Sequence, residues 1–203
     1  MFWDKVAGVY DIFAKVINRK THKKLCAVME GLIQPTDEVL ECACGTGLLT
    51  KVIVGKCKHL IATDFSEKML KKARKNCSGY HNVEFRKGNI LQLDYPDESF
   101  DVVVAANVIH LLDEPYKALE ELDRVCRKGG RMIIPTYMNE TDKGEMNAVS
   151  NAIGKAGADF KREFTLRSYQ AFLEQAGYKK VEYTWCDGRV PCAAAVIQKS
   201  REP

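Results

Sequence analysis

Two glycines and a carboxylate carry the first chemistry legible in this chain. Val39-Leu40-Glu41-Cys42-Ala43-Cys44-Gly45-Thr46-Gly47 runs from apolar residues into small ones, and Leu48, Leu49, Val52 and Ile53 follow at helical spacing. That pattern predicts a buried strand turning sharply into a helix. Glycine at such a turn lets the backbone approach a ligand and tolerates φ above zero. A helix starting there aims unpaired N–H groups and a positive dipole end at whatever lies over the turn. His59-Leu60-Ile61-Ala62-Thr63-Asp64 then reads as a second strand, ending in an acid seventeen positions after Gly47. In nucleotide-binding α/β units an acid about 20 residues beyond the glycine turn reaches the ribose hydroxyls. One carboxylate accepts both hydrogen bonds of a vicinal diol and repels a phosphate placed there. Turn and acid together predict a nucleoside site.

Glu41-Cys42-Ala43-Cys44-Gly45-Thr46-Gly47 followed by Asp64-Phe65-Ser66-Glu67-Lys68-Met69-Leu70 resembles the signature of class I S-adenosylmethionine-dependent methyltransferases. The likeness is closest to small-molecule members similar to those of quinone biosynthesis. It covers the chain from about Trp3, with the specific motifs between Val39 and Ile134. The resemblance implies S-adenosylmethionine as cofactor, held by Glu41, Cys42, Ala43, Gly45 and Gly47 of the turn and by Asp64, Phe65 and Met69 beyond it. It implies Asn89 on the adenine amino group and Ile90 against the ring. It further implies that Ala106 and Asn107 line the methionine end, that Tyr10, in the N-terminal Val9-Tyr10-Asp11, meets the carboxylate, and that His110 faces the pocket or its rim. One departure stands out: Ala43 replaces the family's first glycine, a substitution that fits unless φ there must exceed zero. The implied reaction is an in-line displacement onto a small-molecule methyl acceptor. Positioning alone supplies about 7–11 kcal/mol of barrier lowering. A base is needed only if the acceptor arrives protonated, and His110, Tyr137 and Tyr10 are the candidates.

The elements that must position these residues alternate. Phe2, Val6, Val9, Phe13 and Val16 form a helical stripe beside Lys15, Arg19, Lys20, Lys23 and Lys24, a segment (1–34) read as an N-terminal helical lid. Ser66 caps a helix carrying Met69, Leu70 and Ala73. Val83–Arg86 and the β-branched Phe100–Ala106 read as strands, the latter covered on both faces. Asp113 is expected to cap a helix with Leu119, Leu122 and Val125 inside, closed by Lys128-Gly129-Gly130. Arg131–Ile134 is a further strand. Residues 135–164, polar with a weak helical pattern at Met146, Val149 and Ile153, are expected to cap the substrate. Thr165 or Ser168 starts a helix to Gly177, and Tyr178–Trp185 and Cys192–Gln198 are strands joined at Asp187-Gly188. The prediction is one α/β domain over 1–203: a doubly wound, mostly parallel seven-stranded Rossmann-like sheet with an antiparallel C-terminal edge.

Composition narrows the alternatives. A net charge of +4 falls short of a nucleic-acid footprint, and no apolar run approaches the ~18 residues of a membrane span. Eight cysteines without a C-x-x-C pair suggest neither a disulfide framework nor structural zinc, so no metal is expected. Cys42 and Cys44 read as small packing residues on opposite faces, and the protein as cytoplasmic and reduced. After Ala106 there is no Asn-or-Asp-Pro-Pro-aromatic motif or Pro-Cys pair of nucleic-acid methylating enzymes. A nicotinamide dehydrogenase would want a third glycine near Leu49–Thr50. A cofactor-binding sensor without turnover is the other alternative. Oligomeric state is not encoded legibly.

Overall fold

The computed structural model describes residues 16–141, 143–147 and 161–200. Tyr10, most of the N-terminal stripe, Lys15, Val149 and Ile153 lie outside them. In chain order the elements are α1 (Arg19–Leu32), β1 (Glu38–Cys42), α2 (Thr50–Val54), β2 (His59–Asp64), α3 (Glu67–Asn76) and β3 (Val83–Lys87). There follow β4 (Phe100–Ala105), a 3₁₀ turn (Ile109–Leu111), α4 (Pro115–Val125), β5 (Cys126–Tyr137), α5 (Leu166–Gln175), β6 (Val181–Cys186) and β7 (Cys192–Gln198).

The seven strands form one sheet in the order β3-β2-β1-β4-β5-β7-β6. β1 to β5 run parallel, and β7 is antiparallel to both of its neighbours. This is the predicted sheet, with the antiparallel strand lying just inside the edge. Continuous apolar runs occur where both faces are covered: Val102, Val103 and Val104 are all buried. One face carries α4 and α5 through Ala118, Leu119, Leu122, Phe172 and Leu173. The other carries α1, α2 and α3 through Leu25, Met29, Ile53, Leu70 and Ala73. Cys42 and Cys44 do fall into these opposite layers. They do so because the strand ends at Cys42 and Ala43 turns with φ 55; in a continuing strand residues two apart would share a face.

Local signals set several boundaries. Ser66 Oγ accepts from Met69 N–H at 3.2 Å, and Thr165 with Ser168 forms a capping box on α5. Others differ from expectation. α4 is preceded by Glu114, which makes no side-chain cap, rather than by Asp113; Pro115, which has no N–H to satisfy, opens it. Lys128-Gly129-Gly130 does not close that helix. α4 stops at Val125, and those residues lie within β5 as a bulge, Phe100 facing Cys126 while Val102 faces Arg131. Pairing of the strand with β4 overrides the glycine stop signal. α2 begins at Thr50, three residues beyond Gly47, and is only five residues long, so the expected dipole at the turn is small. Pro135–Tyr137 extend β5, so the excursion starts at Met138, and Met146 pairs with Glu140 in an isolated bridge rather than in a helix.

Candidate functional site

β1 leads by way of β2 to β3 on one side of the sheet, whereas β4 and β5 build the other. The carboxyl ends of β1 and β4 are therefore the switch point at which open α/β sheets bind ligands. A cavity of about 420 Å³ lies there. Glu41, Ala43 and Gly45 line it from the β1 turn, and Asp64, Phe65 and Met69 from the β2–α3 junction. Asn89 and Ile90 follow β3, Ala106 and Asn107 follow β4, and Tyr137 ends β5. Three expected residues do not line it: Cys42, Gly47 and His110.

The turn is tightly held. Cys44 N–H donates to Thr63 O at 2.9 Å, and Asn76 Nδ2 donates to Thr46 O at 2.9 Å. Asp64 Oδ2 accepts from Gly45 N–H at 2.9 Å and Oδ1 from Ser66 N–H at 2.8 Å. Both oxygens are fixed in orientation, and a carboxylate oxygen accepts more than one hydrogen bond. The two glycines serve different ends. Gly45 (φ 56) is open: a Cβ there meets nothing within 4 Å. Gly47 (φ 83) abuts α3, and a Cβ would lie 3.2 Å from Ala73 Cα, Ala73 Cβ and Cys77 Sγ. Gly47 thus lets α3 close on the turn instead of clearing room for a ligand. Ala43 does occupy the left-handed region, which costs an alanine about 1–2 kcal/mol. Its presence there is a strain that the family's usual glycine avoids.

Glu41 is buried and accepts from Thr50 Oγ1 at 2.6 Å. Burial lifts its carboxyl to about 8, aided by the charge of Asp64 and opposed by the Thr50 hydrogen bond. Asn89 Oδ1 accepts from Leu91 N–H at 3.0 Å, so the residue shapes its own turn as well as lining the cavity. Phe65 is 52% exposed, with the Lys87 ammonium 5.6 Å from its ring centroid. Asn107 (φ 53) donates its N–H to Pro135 O at 2.7 Å.

His110 is placed differently from expectation. The 3₁₀ turn buries Ile109 and His110 and gives Val108, Leu111 and Leu112 to the cavity. Burial holds the imidazole down at about 4, and its ring centroid lies 6.1 Å from that of Tyr137. A buried, weakly basic imidazole outside the lining is a packing residue more than a base.

Thr21, His22 and Leu25 of α1 also line the cavity; the sequence reads 1–34 as a lid without singling out these three residues. α1 is clasped to the β6–β7 loop: Asn18 Nδ2 donates to Val190 O at 2.8 Å, and Val190 N–H returns to Asn18 Oδ1 at 3.0 Å. Thr21 Oγ1 donates to Asn18 Oδ1 and Val190 O, and Lys20 and Lys24 pair with Asp187. Its period-3.6 burial of Leu25 and Met29 was the available signal. No described residue of 138–147 or 161–164 lines the cavity.

These features fit a nucleoside sulfonium: a fixed carboxylate for the diol, open room over Gly45, and apolar walls. Comparison with known proteins agrees. Residues 40–134 match the family described as methyltransferase domain. A phosphatidylethanolamine N-methyltransferase of Cereibacter sphaeroides is 38% identical over 123 residues, 58% of this chain and 58% of that protein. A ubiquinone/menaquinone biosynthesis C-methyltransferase of Hydrogenovibrio crunogenus is 33% identical over 147 residues, 68% of this chain and 58% of that protein. The chain spans less than two thirds of the length of these relatives. The solved structure of an S-adenosylmethionine-dependent methyltransferase from Thermotoga maritima shares the fold, with a TM-score of 0.74 over 98% of both chains at 21% identity.

Proposed function

We propose that this chain, whose residues 40–134 match the methyltransferase domain family, is a class I S-adenosylmethionine-dependent methyltransferase that moves a methyl group to a small-molecule acceptor by in-line displacement. The cofactor supplies an electrophilic methyl on a sulfonium. The chain supplies binding and orientation: Asp64 for the ribose diol, Gly45 for close approach, Asn89 and Ile90 for the base, and Ala106 and Asn107 for the methionine end. The observation that carries the reading is the Asp64 carboxylate, locked by Gly45 and Ser66 N–H groups at the rim of the switch-point cavity. Leu25, Leu48, Leu91, Leu111 and Leu112 make much of the wall aliphatic, which suits an acceptor with an apolar body. The relatives named above for phosphatidylethanolamine and ubiquinone/menaquinone support that class. Eight cysteines without a disulfide support a cytoplasmic setting.

Thermal melts with S-adenosylmethionine, its demethylated product and NAD, side by side, test the cofactor. Ligand at ~100 times its Kd stabilises by about 2.7 kcal/mol. Release of demethylated cofactor over a panel of phenols, amines, thiols and quinols then separates an enzyme from a sensor. A melt shifted by NAD alone overturns the reading.

A further inference from the structure

Resting on the methyltransferase reading, we propose that His22 takes the proton from the methyl acceptor, and that the acceptor is an apolar-bodied molecule arriving with an O–H or N–H to lose. The argument is one of place and of elimination. Asp64 and Asn89 mark the β2–β3 end of the cavity for the nucleoside. The opposite end is built by α1, by the segment after β4 and by the tip of β5, with His22, Leu25, Leu111, Leu112 and Tyr137. An acceptor meets polar chemistry there only among aliphatic neighbours.

Among the described residues, the titratable groups lining the cavity are His22, Glu41, Cys44, Asp64 and Tyr137. Glu41 is engaged by Thr50 and keeps its proton to about 8. Asp64 is held by two backbone N–H groups beside the turn. Burial keeps the Cys44 thiol well above its ordinary range, so it stays protonated. Tyr137 is a phenol, a donor near neutrality. Imidazole is the side chain whose ordinary titration falls in that range. On its own helix, His22 Nε2 lies 3.6 Å from Cys26 Sγ, whose thiol is pushed up to about 11, first by burial and then by Glu30. That neighbour carries no charge at neutral pH, and which of the two donates across the contact is set by the imidazole tautomer. Lys20 and Lys24, two residues either side of His22 and about one turn from each other, are paired with Asp187. The Asn18–Val190 clasp fixes the turn of α1 that bears His22, as a positioned base requires.

In the step the acceptor's O–H or N–H bond breaks, its proton passing to the imidazole. The new O–CH₃ or N–CH₃ bond forms as the S–CH₃ bond breaks with its electron pair staying on sulfur. The proton then leaves to solvent, restoring neutral His22.

The test compares wild type with His22→Gln, His22→Gly and Tyr137→Phe. Turnover is measured at saturating S-adenosylmethionine with phenol, amine and thiol acceptors, together with calorimetric affinity for the demethylated cofactor. The expected result for His22→Gln is a loss of about 10²–10⁴ in kcat toward phenols or amines. Its acidic limb in the pH profile disappears, its product affinity stays within twofold, and thiol turnover changes little because a thiol ionises by itself. Added imidazole restores part of the His22→Gly rate. A kcat within threefold of wild type overturns the assignment. So does an equal fall in product affinity, which would make His22 a cofactor contact, or a loss seen only in Tyr137→Phe. Wild type that binds the cofactor and methylates nothing overturns the methyltransferase reading itself, a separate failure.

Discussion

Alanine at Gly47 meets two penalties that alanine at Gly45 does not meet together. Both backbones are left-handed, φ 56 and φ 83, and an alanine in that region costs about 1–2 kcal/mol. Reduced freedom of the unfolded chain returns about 0.4–1 kcal/mol at either site. At Gly45 the new methyl meets nothing within 4 Å, so the net cost is about 1.6 kcal/mol or less. At Gly47 it lies 3.2 Å from Ala73 Cα, Ala73 Cβ and Cys77 Sγ, and two of these belong to the backbone or its first side-chain atom. No flexible tip can move aside; α3 itself must shift by a few tenths of an ångström. Overpacking of this kind costs about 1–3 kcal/mol more, so Gly47→Ala should be destabilised by about 1–4.6 kcal/mol. Urea unfolding reports this as a lower midpoint at constant slope. Ligand binding should show the reverse order: Gly45→Ala places its methyl in the cavity and weakens S-adenosylmethionine, while any folded Gly47→Ala binds nearly normally. Equal stability losses, or a greater loss at Gly45, would refute the division of roles.

Glu41→Gln tests the raised carboxyl. The group rises from about 4.5 unfolded to about 8 folded, so between those values the folded state holds more protons and stability falls as pH rises, by up to about 1.4 kcal/mol per pH unit. Glutamine removes that slope, and unfolding midpoints of the two proteins should diverge from pH 5 to pH 8; parallel curves would contradict it. Asn18→Ala leaves the Val190 N–H without its buried acceptor and should cost about 1–3 kcal/mol, read by urea midpoint. Ala43→Gly relieves the left-handed strain and should leave stability unchanged or raise it by up to about 1 kcal/mol; a clear loss would mean that the methyl packs better than its φ suggests.

Much of this was legible because the cues were local. Alternating apolar strands and amphipathic helices fixed the doubly wound sheet, and Ser66 and Thr165 announced their helices through hydrogen bonds within four residues. Asp64 and Gly45 could be read as neighbours at one candidate site because strand, turn and acid recur at a spacing set by one βαβ unit. What escaped depends on contacts distant in sequence. Gly47 looked like its neighbour Gly45 until α3 was seen against it. His22 hid in a basic run because its helix is turned toward the cavity by Asn18 and Val190, 172 residues apart. His110 was displaced by a 3₁₀ turn that apolar periodicity does not signal. Lys128-Gly129-Gly130 carried a stop signal that strand pairing overrode.

The most direct measurement is calorimetric binding of S-adenosylmethionine to wild type, Asp64→Asn and Asp64→Ala, each checked for a cooperative melt. Two hydrogen bonds from a diol to a charged acceptor are worth about 1.5–3 kcal/mol each. Asp64→Ala should therefore bind at least about a hundredfold more weakly, with Asp64→Asn between it and wild type. Undiminished affinity in a folded Asp64→Ala protein would contradict the account.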